Sequence, residues 1–200
     1  MQQLWAPWRL EYITGDKPEG CPLCAKQYAG SDEAGLILAR SEYSLVMMNL
    51  YPYNNGHLMI IPERHVADLT DLNVDERQDL HELQVVAVNA VRMAMDPDGF
   101  NLGVNLGEAA GAGIAAHLHL HVIPRWTGDT NFMPLVGETT VMPQHLKTTY
   151  HALLDAFRKL AEYRTAAGVD FAPATPSPTD TSSAPPIDIS TDTPNDTGQA

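Results

Sequence analysis

The segment His117-Leu118-His119-Leu120-His121-Val122-Ile123 alternates histidine with large apolar residues. On an extended chain successive side chains point to opposite faces. Three imidazoles therefore line one face, and Leu118, Leu120 and Val122 line the other, where a core must lie. Imidazoles in a row are poor core filler and suit catalysis or metal binding. Two uses of that face compete. Alternate histidines can supply several ligands to one metal ion. Alternatively, one imidazole acts as a nucleophile while its neighbours and a phosphate-binding loop hold the substrate. The small-residue run Gly107-Glu108-Ala109-Ala110-Gly111-Ala112-Gly113 immediately before the strand favours the second use. Glycines let backbone N–H groups approach an anion with no side chain in the way.

Around this strand the periodicity switches between two and 3.6. Leu36–Arg40, Leu45–Asn49 and His57–Ile61 read as strands, as do Phe100–Leu106 and Ala116–Ile123. Pro52 and Asn55-Gly56 supply the backbone angles for a hairpin connection ahead of His57. Asn73 and Glu76 form a capping-box pattern, followed by Leu80, Leu83, Ala87, Ala90, Val91 and Ala94 at helical spacing. Asp96-Pro97-Asp98-Gly99 ends that helix. A second helix near Pro143–Arg164 turns Leu146, Tyr150, Leu153, Phe157 and Leu160 inward. Hairpin-joined strands with helices set apart predict an α+β domain built on an antiparallel sheet of about five strands with two main helices. His81, His145 and His151 fall on helices and read as surface or packing residues.

The domain is expected over residues 1–168. Half of residues 169–200 are Pro, Ser or Thr, which predicts a disordered tail. That tail holds five Asp and no Lys, Arg or Glu, so it supplies −5 of the net charge of −13. The body remains acidic, which disfavours duplex nucleic acid. A phosphate bound here is expected to be small and held locally. No apolar run approaches the roughly 18 residues of a membrane span, and the N-terminus lacks a secretory pattern. A cytoplasmic location follows as the expectation. Cys21 and Cys24 are the only cysteines. One short-range pair is either half of a metal site or a redox pair.

The triad strand matches the His-φ-His-φ-His-φ-φ signature (φ apolar), so the chain resembles the histidine-triad superfamily. Asn49-Leu50-Tyr51-Pro52-Tyr53-Asn54-Asn55-Gly56-His57 through Pro62 resembles that family's nucleotide-binding hairpin, and Asn105 through Gly113 its phosphate loop. Pro124-Arg125-Trp126 through Met133 is similar to the branch acting on diadenosine polyphosphates, as are Leu4-Trp5-Ala6-Pro7-Trp8-Arg9 and the cysteine pair.

The resemblance implies a dinucleoside polyphosphate hydrolase or phosphorylase working through a nucleotidyl-histidine. His119 would be the nucleophile, oriented by the His117 carbonyl, with His121 and His57 on the phosphate and leaving group. Neutral imidazole, with an ordinary pKa near ~6.5, is nucleophilic at pH 7. Asn49 would meet the ribose, and Asn105, Gly107, Gly111 and Gly113 the α-phosphate. Arg125 and Asn131 would reach distal phosphates. The loop lacks the Gln or Ser that several relatives carry before the triad strand. Cys21, Cys24, His65 and His117 would form a structural zinc site, with no catalytic cofactor required. A homodimer is also implied. Two other readings stay open: a nucleoside phosphoramidate or adenylyl-lysine hydrolase, and a nucleotide-binding regulatory module. A metal-dependent hydrolase using the three histidines is a further alternative.

Overall fold

A computed structural model describes residues 20–129, 144–164 and 171–175. Two short helices, α1 (Pro22–Gln27) and α2 (Asp32–Gly35), lead into strands β1 (Ile37–Arg40), β2 (Ser44–Met48) and β3 (Leu58–Pro62). The long helix α3 (Val74–Met95) precedes β4 (Gly99–Val104) and β5 (Leu120–Arg125). Helix α4 (Leu146–Arg164) and a short strand β6 (Ala172–Pro173) complete the order. The strands form one sheet in the order β4-β5-β3-β2-β1-β6, every pair antiparallel. The expected α+β class holds.

Both faces of the sheet centre are covered. On one side Leu38, Val46, Met48, Leu58, Ile60 and Val122 pack against α3 and α4. On the other, Ile37, Leu45, Met47, Met59 and Ile61 pack with Leu23 of α1. Strands buried on both faces read as continuous apolar runs, which is why β2 and β3 lack polar alternation. Helix α3 carries the expected capping box: the Asn73 side chain accepts from the Glu76 amide at 2.9 Å, and Glu76 accepts from the Asn73 amide at 2.8 Å. In α4, Tyr150, Leu153 and Phe157 are buried, and the Tyr150 hydroxyl donates to the Ile37 carbonyl at 2.9 Å.

Three expectations are corrected. The sheet has six strands, because part of the segment expected to be a disordered tail pairs with β1. Phe171 packs edge-on to Phe157, and buried Ala174 donates its amide to the Leu38 carbonyl at 2.9 Å. A small apolar island was hidden in the Pro- and Thr-rich average. The triad strand begins at Leu120 instead of Ala116, because a turn precedes it and Leu118 bonds the Val66 carbonyl outside the ladder. It also runs past Ile123 to Arg125. Pro124 pairs with Phe100 of β4, beyond the point where the β3 ladder ends at Leu58 and Val122. Its missing N–H therefore breaks no ladder bond on that side.

The hairpin connection packs tightly under Pro124. Gly56 has φ of +74°, and a Cβ there would lie 2.6 Å from the Met95 sulfur and 3.3 Å from the Pro124 ring. Only glycine meets both demands. This holds the loop before His57 close against β5.

Candidate active site and metal centre

The alternation survives the later strand start. Leu118 and Val122 enter the helix-side core, while His117, His119 and His121 group on the opposite side. All three are buried, as is His57 on the facing β3 edge. Register pairs Met59 with His121. This brings His57 Nε2 within 2.9 Å of His121 Nδ1.

The partners of each ring assign its proton. His119 Nδ1 lies 2.8 Å from the His117 carbonyl. A carbonyl only accepts, so Nδ1 carries the hydrogen and Nε2 presents a lone pair. His57 Nδ1 accepts from the Tyr53 backbone N–H at 3.1 Å, which places the His57 proton on Nε2. That proton is donated to His121 Nδ1, so neutral His121 keeps its own proton on Nε2. One imidazole thus offers a lone pair and another an N–H donor. The Tyr53 ring lies over the donor pair, 4.7 Å from His57 and 5.7 Å from His121. The orienting Tyr53 amide had no signal in the sequence, because a backbone group carries no residue identity.

Burial pushes His57 down to about 3, with His121 and then His119 lowering it further. When unfolded it titrates near 6.5. Between these values the unfolded chain takes up a proton that the folded chain refuses, so stability falls as pH drops from 6.5 toward 3. Between pH 6.5 and 5, wild type is expected to lose about 2 kcal/mol more stability than His57→Gln. Urea unfolding at the two pH values measures this, and parallel losses would contradict it.

A second cluster adjoins the triad through His117. Cys21 Sγ and Cys24 Sγ each lie 3.4 Å from His117 Nδ1, and Cys24 Sγ lies 3.3 Å from His65 Nδ1. The four donor atoms all fall within 4.8 Å of one another. Tetrahedral zinc with S and N ligands requires S···N edges of roughly 3.5 Å, from bond lengths of about 2.3 and 2.0–2.1 Å. The cluster can hold a metal ion. His117 Nε2 donates to the Pro62 carbonyl at 2.9 Å, directing Nδ1 at the thiols. Burial lowers the His117 pKa against the opposing effect of that bond, favouring the neutral, ligating form. Arg40 ties the two arms of the cluster together, donating to the Gln27 carbonyl at the end of α1, to Asp32 and to Glu63.

The model of the family described as HIT domain matches residues 32–128. The AP-4-A phosphorylase of Mycobacterium tuberculosis strain H37Rv is 40% identical over 161 residues, covering 76% of this chain and 83% of that protein. The chain belongs to the histidine-triad (HIT) family. A bis(5'-adenosyl)-triphosphatase of Saccharomyces cerevisiae is 32% identical over 91 residues, 45% of this HIT protein and 44% of the yeast one. Among solved structures, a Zn-bound histidine triad family protein from Mycobacterium smegmatis is 25% identical, with a TM-score of 0.58 over 72% of this chain and 97% of that one.

The remaining expected site residues divide. In this HIT protein Asn49 Oδ1 accepts from the Tyr51 amide at 2.9 Å, and its Nδ2 lies 3.4 Å from His57 Nδ1. It shapes the loop beside the histidines. Asn105 follows β4, ahead of a single 3₁₀ turn, Glu108–Ala110, flanked by Gly107 and Gly111 at φ of +78° and +86°. The Gly111 amide is bonded to the Glu108 carbonyl at 2.9 Å. Gly111, expected to meet the α-phosphate through its N–H, directs that N–H to the turn in this structure. Gly113 lies in the turn that leads to His117. Arg125 was expected to meet distal phosphates. It forks onto Asp129 at 2.7 Å and donates to Asn101 at 2.8 Å. Asn131 and the opening Leu4–Arg9 segment lie outside the described residues.

Proposed function

We propose that this HIT protein cleaves dinucleoside polyphosphates, with diadenosine tetraphosphate as the substrate class, through a nucleotidyl-His119 intermediate. The observation that carries the reading is the pairing of opposite tautomers, a lone pair on His119 Nε2 beside an N–H donor on His121. The names of the mycobacterial and yeast relatives supply the substrate class.

In the first step His119 Nε2 forms a bond to the α-phosphorus, and the bond from phosphorus to the bridging oxygen breaks. The departing polyphosphate oxygen leaves as an anion and accepts a hydrogen bond from His121 Nε2–H, a tautomer held by the His57 Nε2–H donated to His121 Nδ1. In the second step an oxygen of orthophosphate or water attacks the same phosphorus. The P–N bond breaks, His119 Nε2 regains its lone pair, and any proton on the attacking oxygen leaves to solvent, while His121 Nε2–H again donates a hydrogen bond to the phosphate. Donors fixed before the reaction stabilise the developing charge without reorganising. Asn49, Asn105 and the Gly107 and Gly113 backbone are assigned to the bound nucleotide. Cys21, Cys24, His65 and His117 are assigned to zinc, which when bound supplies a structural crosslink between α1 and the triad segment. A cytoplasmic location fits these thiols, which must stay reduced to bind metal.

Incubation with diadenosine tetraphosphate, with and without orthophosphate, tests the reading. Phosphorolysis yields ADP and ATP, and hydrolysis by the same intermediate yields AMP and ATP. Two ADP as the sole products would place attack elsewhere and overturn the mechanism.

We also assign a homodimer joined along β4. Strand β4 sits at the sheet edge, with Leu102 48% exposed, and an apolar edge strand is a template for pairing. Sedimentation equilibrium is expected to give twice the 21.9 kDa chain mass. A monomer at micromolar concentration would contradict this.

A further inference from the structure

The relay from Tyr53 to His57 to His121 works only if the loop before β3 is held in one place. The Tyr53 amide must face His57 Nδ1, yet Tyr53 and the preceding residues belong to no strand or helix. Tyr51 and Tyr53 are 59% and 40% exposed, and the Tyr53 ring lies against His57 and His121, so these side chains lie outside the apolar core. Two elements reach into it: α4, whose Thr149 hydroxyl donates to Asn55 Oδ1 at 3.0 Å, and, nearer Tyr53, the turn that follows β5. Asn54 Nδ2 donates to an Asp129 carboxylate oxygen at 2.8 Å and to the Pro124 carbonyl at 3.1 Å. The Asn54 side-chain oxygen accepts from the Asn55 amide, and its backbone carbonyl accepts from the His57 amide at 3.2 Å. One residue thus bonds to β5, to the turn beyond it, and to the backbone of His57.

Asp129 is itself over-determined. Its carboxylate takes two bonds from Arg125 and one from the Trp126 amide, in addition to that from Asn54. Its side chain is only 10% exposed, and Arg125 is anchored in turn on Asn101 of β4. A charge-assisted fork of this geometry fixes position more firmly than a neutral hydrogen bond. The chain of contacts runs from β4 through Arg125 and Asp129 to Asn54, and from there to the loop that presents the Tyr53 N–H.

We infer that Asn54 and Asp129 are positioning residues for the His57–His121 pair: they hold the Tyr53 amide on His57 Nδ1 and thereby keep the His121 proton on Nε2, facing the leaving group. The inference rests on the role proposed above for His121. Without the Asn54 anchor the loop samples positions in which His57 Nδ1 loses the Tyr53 N–H and keeps only the longer 3.4 Å contact with Asn49 Nδ2. His57 can then carry its proton on Nδ1, so Nε2 accepts instead of donating. The His121 proton moves to Nδ1, and the face toward the leaving group loses its donor. Neither Asn54 nor Asp129 touches the reacting atoms in this scheme.

The test compares full-length wild type, Asn54→Ala and Asp129→Asn, with thermal unfolding as a check on folding. The first readout is the side-chain ¹⁵N spectrum of the histidines, which reports the tautomer of each ring without any substrate. Wild type is expected to show single Nε2–H forms for His57 and His121, whereas Asn54→Ala shows exchange-averaged nitrogens for both and leaves His119 as Nδ1–H. The second readout is single-turnover cleavage of diadenosine tetraphosphate. A preorganised donor to developing charge is worth about 10²–10³-fold, so partial loss of the correct tautomer should slow chemistry roughly ten-fold with KM changed less than about two-fold. Asp129→Asn keeps the shape of the side chain and is expected to give the same pattern more weakly. Unchanged His57 and His121 signals in a folded Asn54→Ala overturn the inference, as does an unchanged single-turnover rate. A wild type that cleaves nothing defeats the functional reading alone, and the spectra still decide the positioning.

Discussion

His119→Ala is expected to lower kcat for diadenosine tetraphosphate by at least about 10⁴-fold while KM stays within a few-fold of wild type. Removing a nucleophile that works as part of a unit costs on the order of 10⁴–10⁶ in other covalent enzymes. The substrate contacts assigned to Asn49, Asn105 and the glycine backbone remain, so binding survives. The structure explains why the effect should be confined to chemistry. The hydrogen bond lost is the one from His119 Nδ1 to the His117 carbonyl. A single neutral bond is worth about 1 kcal/mol, which for a chain of this size is about 2–4 °C in Tm. The His57–His121 bond does not involve His119 and should persist. Two measurements decide the matter. Radiolabelled substrate should leave a labelled protein in wild type and none in the variant. Imidazole added to His119→Gly should restore part of the rate, since the missing ring is all that the site lacks. A labelled His119→Ala, or a variant with wild-type turnover, would show that the nucleophile lies elsewhere.

Removing the metal should act on stability before it acts on turnover. Helix α1 has only six residues, well under the roughly 12–15 at which a helix is marginal alone. Its packing contribution is Leu23, with Gln27 and the Arg40 bonds at its end. A metal joining Cys21 and Cys24 to His65 and His117 would be the main link between this helix and the triad segment. A ligand present at 1,000 times its Kd stabilises the folded state by about 4 kcal/mol, equivalent here to roughly 8–16 °C in Tm. Cys24→Ser is therefore expected to lower bound zinc from one equivalent to near zero and Tm by roughly 10 °C. Brief chelation at 25 °C should leave most turnover intact, because the nucleophile and the leaving-group donor, His119 and His121, both lie outside the proposed ligand set. Prolonged chelation should erode activity, since the His117 carbonyl that orients His119 belongs to a proposed metal ligand. Turnover that stops on mixing with chelator and returns on adding metal would assign the metal to the chemistry instead.

Much of the scaffold was legible because its signals are local. The capping box at Asn73 and Glu76 and the apolar stripe of α3 depend on residues a few positions apart. The triad alternation likewise needs only seven residues. Strand β6 was missed because Phe171 and Ala174 are too few to register against the surrounding Pro, Ser and Thr. Their value lies in what they meet, the edge of β1 and Phe157. The partners of Arg125 and Gly111 were not legible for a related reason. A guanidinium or a glycine amide near a phosphate loop looks available until the group it already bonds is known, and Asp129 and Glu108 supply those groups.

The three histidines on one strand face follow from the sequence alone, since alternation is a property of the extended backbone. So does the set of groups able to do the chemistry. Which nitrogen of each ring carries its proton was decided only by the tertiary structure. A neutral imidazole has two nearly equivalent tautomers, and the difference between them lies in what each nitrogen meets. For His119 that partner is two residues away on the same segment. For His121 it is His57, sixty-four positions distant and delivered by the pairing of β3 with β5. For His57 it is the amide of Tyr53, in a loop held by Asn54 against the turn beyond β5.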